Sequence, residues 1–438
     1  MLPTRTNLLS LVARIPSPIL LAYHRWAGVA TVIHATLHFS LTAQHYVRTH
    51  QFETVLENAR IRVGIMAWAA LGLILLTSVR IVRRRAFEVF YYIHFFFIVF
   101  IAGAFYHAAN AAEFLIPGLA LWVLDRSVRA WYSHFRTIKV TSVTQYTGTG
   151  HVTKLRFEGL KSAVRPGQIV WVQIPEVSAL NWHPFTIIPS PTNKNESTIA
   201  IRSLGGYTRK LEQMALDATT ADNNIPSNKT STNTASNMTQ STLLKIRLDG
   251  PYGTGRLQYS HFPVIVLVAG GIGITPAIGI ASYIVNQAAR ATAIANPKSG
   301  HHHIHLLWTV KHEQHLAWFE PELTTLCSLI QSRNLPVTIA ISIYATGGGS
   351  ETSEREERNL GGGGGDKYMY RGPGRVHKGG RPNLGEWFQR VRASSGRGID
   401  AAVHLCGPRL LVRAGRMAAA EVSGREGLFW VEEEEFEF

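Results

Sequence analysis

Residues 89–109 run for 21 positions without an Asp, Glu, Lys or Arg, yet they hold two histidines, His94 and His107. A bilayer core of about 30 Å takes about 20 apolar helical residues, so this stretch has the length of a membrane span. Residues 19–41 and 63–79 also have the length of a span. Residues 114–124 are apolar for only 11 positions before Asp125, the length of a short return span or of a buried core helix. Residues 1–18 mix prolines and arginines without the apolar core and small-residue cleavage site of a signal peptide, and are expected to form a cytosolic segment. Membrane lipid is therefore an expected partner of the first third of the chain.

The net charge of +15 is informative through its placement. Arg80, Arg83, Arg84 and Arg85 separate the second and third spans, and Arg126, Arg129, Arg136 and Lys139 follow the fourth stretch. Cytoplasmic loops carry the excess of Lys and Arg. On that rule 114–124 returns across the bilayer, the chain after Arg136 lies inside, and 45–60 lies outside. No nucleic-acid partner is expected. Cys327 and Cys406 are the two cysteines, too few for a disulfide framework, and no Cys and His run has structural zinc spacing.

After residue 137, short β runs at 138–143, 153–157, 169–174 and 199–201 are separated by Gly and Pro, the pattern of a small antiparallel barrel. Beyond residue 261, β runs at 264–269, 305–310 and 337–344 alternate with helical stretches such as 276–289, the pattern of an α/β dinucleotide fold. Residues 217–242, rich in Asn, Thr and Ser, and 346–381, which include the glycine run 361–365, read as disordered insertions.

An ionisable residue inside a span is costly and is by default a functional hypothesis. The first span carries His24, His34 and His38. His24 and His38 are 14 residues apart, close to four turns, so their rings leave one face about 21 Å apart along the axis. His94 and His107 are 13 apart and fall about 140° from each other on an ideal helix. They need a local irregularity, for which Gly103 is a candidate, or ligands that approach from different sides. Two helices that each offer an inner and an outer imidazole can clamp two metal macrocycles, of which haem fits best, each iron taking two axial nitrogens. His34 stands four residues before His38 as a supporting or bundle-contact residue.

In the remaining chain, His183, Pro184, Phe185 and Thr186 combine an aromatic plane, a hydroxyl and a stiff backbone, suited to one face and edge of an isoalloxazine. Gly205 and Gly206 allow close backbone approach, and Thr208 and Arg209 add donors for a pyrophosphate. Gly270, Gly271 and Gly273 follow an apolar strand and precede a helix, so their amides and the helix N-terminus offer a phosphate site. His301, His302 and His303 read as a surface run in a polar loop without Cys or carboxylate partners.

The histidine pairs, with HPFTIIPSP at 183–191, GGYTRKL at 205–211, GPYG at 250–253, AGGIGITPA at 269–277 and LCGP at 405–408, together resemble the ferric reductase and NADPH oxidase superfamily nearly end to end. DRSVR at 125–129 is similar to the pattern that ends the last span of the fungal-type transmembrane ferric-chelate reductases. The resemblance implies a multi-domain fold. An N-terminal segment 1–18 precedes a transmembrane α-helical haem bundle at 19–135. An antiparallel β-barrel FAD-binding domain at 136–258 and an α/β, ferredoxin-reductase-like NADPH-binding domain at 259–438 follow.

It also implies FAD held by the 183–186 segment, with Thr186 near the flavin N5, and by Gly205, Gly206, Thr208, Arg209, Gly250, Pro251, Tyr252 and Gly253. NADPH would lie on the glycine turn with Thr275 and Pro276 near the nicotinamide, and Cys406 of the Cys406, Gly407, Pro408 motif beside its reactive carbon. Phe438 would cover the flavin, and His24 with His94 and His38 with His107 would ligate two haem b groups. The implied activity is NADPH-dependent reduction of chelated Fe(III) or Cu(II) across a membrane, the plasma or vacuolar membrane, with both nucleotide domains cytosolic and an iron or copper transporter downstream. A superoxide-generating NADPH oxidase shares every one of these segments. The family usually has six spans, and the two expected before the first histidine-bearing helix are missing, so a truncated, non-catalytic membrane haem protein is a further reading. A flavin reductase fused to an unrelated anchor is another.

Overall fold

The computed structural model describes residues 17–108, 110–135, 137–146, 150–160, 164–178, 181–193, 195–223, 235–238, 244–253, 257–293, 301–347 and 370–435. The chain divides into two compact units, one ending at Tyr132 and one running from Ser133 to Glu437.

The first unit is helical: α1 (Ser17–Arg48), α2 (Phe52–Leu56), α3 (Ala59–Thr77), α4 (Arg80–Arg85), α5 (Phe87–His94), α6 (Phe97–His107) and α7 (Ala111–Phe135). The Asn58 side chain caps α3 by accepting from the Arg60 amide. On the helix surfaces Ile33, Leu37, Met66, Leu76 and Ile98 stand exposed. Apolar surface on this scale is not left to water by a soluble domain, so these side chains face lipid. Ala59–Thr77 and Phe87–His107 are each long and apolar enough to cross a bilayer; Gly271–Thr292 is too, but it is packed inside the second unit.

The irregularity expected between His94 and His107 is present, but not at Gly103, and the fourth stretch departs from its expected length. The third span is broken: the Phe95, Phe96 and Ile98 amides bond three residues back, to Tyr92, Ile93 and Phe95. Such a tightened turn advances about 120° per residue instead of 100° and rotates His107 relative to His94. Gly103 is not the irregularity; it lies within α6 and lets that helix touch α3, since a Cβ there would come within 2.7 Å of the Ala67 Cβ. The fourth stretch is not short, because α7 spans 25 residues and carries Asp125, buried and paired with Arg126, inside the helix.

The second unit begins with a sheet of order β4-β3-β8-β1-β2-β6-β5, comprising β1 (Thr137–Tyr146), β2 (Val152–Glu158), β3 (Ile169–Gln173), β4 (His183–Thr186), β5 (Ile188–Pro189), β6 (Glu196–Arg202) and β8 (Lys245–Tyr252), with β7 (Ala235–Met238) added to β1. Its two end strands, β4 and β5, are joined through Ile187 alone, so the HPFTIIP segment closes the antiparallel sheet into a barrel. Helix α8 (Gly206–Asn223) covers it. That helix holds residues 217–223, which the sequence assigned to a disordered insertion.

The second layer is a wholly parallel sheet of order β12-β11-β10-β9-β13-β14: β9 (Val264–Gly270), β10 (His302–Val310), β11 (Val337–Ala345), β12 (Arg375–Lys378), β13 (Ala401–Gly407) and β14 (Phe429–Glu435). Helices α9 (Ile274–Ala293), α10 (Glu320–Ser332), α11 (Leu384–Ser395) and α12 (Arg409–Val422) flank it. β9 and β13 are buried at every position, as strands covered on both faces must be. Strand β12 lies inside the second expected insertion, and His302 and His303 open strand β10 instead of lying in a loop. The acidic tail is also structured as far as Glu435, because β14 pairs with β13.

Lys154 on β2 and Glu322 on α10 tie the two lobes of this unit at 2.5 Å, and burial works to strip Lys154 of its proton while the Glu322 charge holds it. Removing one partner of a buried pair strands the other. Glu322→Ala is expected to lower the stability of this unit by about 3 kcal/mol, read as an earlier thermal release of FAD fluorescence.

Candidate functional site

In the helical unit α1 meets the α5–α6 segment through two imidazole pairs. The His24 and His94 rings lie 6.0 Å apart between centroids, and the His38 and His107 rings 6.1 Å. An imidazole nitrogen ligates a first-row metal at about 2.0–2.1 Å and sits a little over 1 Å from its ring centre, so two rings on opposite sides of one ion have centroids about 6 Å apart. Both pairs fit that requirement. Trp68 holds α1 against α3 by stacking on Phe39 at 4.3 Å and donating to Thr36 Oγ1 at 3.1 Å.

The His107 Nδ1 lies 2.9 Å from the Arg60 carbonyl. A carbonyl only accepts, so Nδ1 carries the proton and Nε2 keeps its lone pair for a metal. A Cβ at Gly64 would come within 2.8 Å of the His107 Cε1, so glycine there clears the ring's place. The His94 Nδ1 is buried without a protein partner. His34 turns its Nδ1 to the Ala30 carbonyl of its own helix at 2.7 Å and takes no part in either pair.

In the barrel, register brings the HPFT and GPYG segments together across one strand: Thr186 pairs with Ile169, and Ile169 pairs with Tyr252. The Thr186 Oγ1 and His183 Nε2 are buried with no hydrogen-bond partner, two donors or acceptors that a planar polar ligand would satisfy. The His183 ring packs on Tyr207 at 4.1 Å, and burial pushes the Tyr207 phenol up to about 12. Phe185 is half-buried and packs against the barrel core. Thr208 is committed to its own turn, its Oγ1 accepting from the Leu204 and Gly205 amides and donating to the Gly205 carbonyl at 3.1 Å, so in this arrangement its proton is not spare for a pyrophosphate. Arg209 is exposed, and side chains at Gly205 and Gly206 would meet only open space.

In the parallel sheet the chain leaves β9 for β10, β11 and β12 on one side and returns as β13 and β14 on the other, so the order reverses between β9 and β13. Ligands of such sheets bind outside the carboxyl ends of the strands at that point. Here it holds the Gly270–Gly273 turn and Cys406, since Cys406 pairs with Ala269. A Cβ at Gly270 would meet Pro408 Cδ at 2.7 Å, and one at Gly273 the Cys406 carbonyl oxygen at 2.8 Å. These two glycines permit the close approach of the Cys406–Pro408 segment, whereas Gly271 has a positive φ of 56° and faces open space. Thr275 and Pro276 form the first turn of α9, and Thr275 is buried. That helix packs on the barrel's closing segment: a Cβ at Gly279 would lie 3.3 Å from the Ile187 carbonyl oxygen, and Asn286 donates to the Ser190 carbonyl at 3.3 Å. The flavin and nucleotide segments of the sequence therefore share one junction. Phe438 lies outside the described residues.

Residues 1–105 match the family described as the ferric reductase like transmembrane component, 135–256 an FAD-binding domain, and 262–420 the ferric reductase NAD binding domain. The chain belongs to the ferric reductase and NADPH oxidase superfamily. It is 26% identical over 327 residues to ferric reduction oxidase 8, mitochondrial, of Arabidopsis thaliana, covering 73% of this chain and 41% of that protein. With NADPH oxidase 3 of Homo sapiens it shares 24% identity over 420 residues, 84% of this chain and 68% of the relative. The chain thus spans less than half the length of the ferric reduction oxidase. A ferredoxin NADP+ reductase of Neisseria gonorrhoeae with bound FAD and NADP overlays 68% of this chain and 97% of its own at a TM-score of 0.41 and 12% identity.

Beside these family segments lies a polar network that motif reading passed over. Tyr259 donates to Glu432 at 2.9 Å and contacts the His404 Nδ1 at 3.0 Å, and buried Cys406 and half-buried Glu434 lie beside His404. Burial raises the Cys406 thiol above its ordinary range, with the Glu434 charge adding to it. The same burial, aided by Glu432, lifts Glu434 from 4.5 to about 7, and burial lowers His404 from 6.5 to about 4. Glu434 therefore stabilises the fold fully below pH 4.5 and loses that contribution as pH rises through about 7. His404 does the opposite, contributing above pH 6.5 and losing it as pH falls toward 4. Glu434→Gln is expected to raise stability at pH 8 by about 2–3 kcal/mol and to change little at pH 5, measured by thermal unfolding of chelator-treated protein at both pH values.

Proposed function

We propose that this chain carries electrons from NADPH across a membrane to chelated Fe(III) or Cu(II). The observation that carries this reading is the pair of imidazole clamps, at 6.0 and 6.1 Å, between α1 and the broken α5–α6 segment of a chain whose other unit joins flavin and nucleotide segments at one junction. Bound FAD supplies the conversion of a two-electron hydride into single electrons, and bound haem supplies one-electron transfer.

The chain's own residues bind and orient. His24 and His94 would hold the inner haem, His38 and His107 the outer one, with the Arg60 carbonyl fixing the His107 tautomer. Two imidazoles for each haem would suit electron transfer over oxygen binding. Thr186 would satisfy its orphaned hydroxyl on the flavin edge, and Cys406 would line the nicotinamide place at the β9–β13 switch point. Arginines in α4 and at the end of α7 orient the nucleotide domains toward the cytosol. A superoxide-forming oxidase is the second reading, favoured by the longer match to NADPH oxidase 3.

An anaerobic NADPH titration of the detergent-solubilised protein, following flavin and haem absorbance together, tests the common step. Bleaching of the flavin followed by a low-spin reduced haem spectrum is expected; absence of haem uptake overturns the proposal. Admitting oxygen or a ferric chelate to the reduced protein then separates the two acceptors, since superoxide formation faster than chelate reduction favours the oxidase.

A further inference from the structure

We propose that His404, Cys406 and Glu434 form a binding site for one divalent cation of the zinc class, between the carboxyl ends of β13 and β14, with two buried ligands and a half-buried one. Alternation along β13 puts His404 and Cys406 on one face, and the parallel register pairs Cys406 with Glu434 and His404 with Glu432. One ligand atom from each of His404, Cys406 and Glu434 lies within 4.8 Å of the other two.

The decisive detail is the tautomer of His404. The Tyr259 hydroxyl has one proton and gives it to Glu432, so at 3.0 Å from His404 its oxygen accepts from Nδ1–H. The Nε2 is then the nitrogen with the lone pair, on a ring that is 1% exposed, and it has no hydrogen-bond partner. A buried lone pair without a donor, beside a thiol and a carboxyl, calls for a cation. The Glu432–Tyr259–His404 chain is the kind of support that orients a metal-ligating imidazole.

Charge and ligand type agree. A thiolate and a carboxylate balance a divalent ion, leaving the buried site neutral, and the ion would displace the thiol and carboxyl protons to solvent. Thiolate with imidazole selects zinc over magnesium or calcium. The Cys406 Sγ lies 3.1 Å from where a Cβ would stand on Gly273, so an ion bound to it abuts the glycine turn. If Cys406 lines the nicotinamide place, as proposed above, zinc there also slows hydride delivery to the flavin; that consequence rests on the functional reading, and the binding site does not.

The test uses the full-length protein in detergent, stripped with chelator and loaded with Zn2+. X-ray absorption at the zinc edge is expected to show one sulfur at about 2.3 Å. The chain has two cysteines, so Cys327→Ser must keep that sulfur and Cys406→Ser must lose it. His404→Gln and Glu434→Gln are each expected to weaken zinc binding by about 100-fold, while His404→Gln keeps its FAD content and its metal-free rate of flavin reduction. Zinc without sulfur in its shell, held for example by the histidines at 301–303, overturns the site, as does unchanged affinity in both variants. Zinc bound through sulfur with flavin reduction undiminished upholds the site and removes the Cys406 assignment instead.

Discussion

Replacing His107 by alanine is expected to remove the outer haem while leaving the inner one and the flavin in place. The haem content measured as the pyridine adduct falls from two per chain to one, and NADPH-driven reduction of ferric chelate drops by about 100-fold or more, since losing a ligand exceeds the 10–100-fold typical of its supporting groups. Flavin reduction by NADPH, read anaerobically, stays at its original rate. The asymmetry follows from the geometry: His107 pairs with His38 and is oriented by Arg60, whereas His94 pairs with His24 on a different helical segment. Retention of both haems and of chelate reduction in His107→Ala would falsify the clamp assignment.

Gly273→Val is expected to act at the opposite end of the path. Even a Cβ at this position would stand 2.8 Å from the Cys406 carbonyl oxygen and 3.0 Å from its carbonyl carbon, and backbone cannot swing aside as a side chain can. The ends of β9 and β13 must part. A misplacement of about 1 Å at a reacting centre costs about 100-fold in rate, so stopped-flow reduction of the flavin by NADPH is expected to slow by at least that factor with haem content unchanged. An unaltered rate would mean that the switch point between β9 and β13 does not position the nicotinamide. The two variants thus break the proposed path at places that different absorbance bands report.

Much of the molecule is written locally. Twenty-one uncharged residues can only be a span or a buried helix, and histidines 14 apart on one helix share a face whatever surrounds them. The HPFT, GGIG and CGP segments likewise announce themselves because strand-to-turn geometry restricts which residues fit. The length of α7 was hidden because Asp125 and Arg126 look like a terminus until one sees them paired inside the helix. The bonds of Thr208 were not legible because a hydroxyl's partner is a matter of the turn it sits in.

The order of domains, the apolar spans over 63–79 and 89–109 and the positions of the four histidines follow from composition and period, which are properties of short windows of chain. The meeting of those imidazoles in pairs depended on the turn at Phe95 and Phe96, where three-residue hydrogen bonds reset the rotation of α6. The His404, Cys406 and Glu434 cluster had no window at all: its members come together only because β13 and β14 run parallel in one register, and register is set by the packing of the whole sheet.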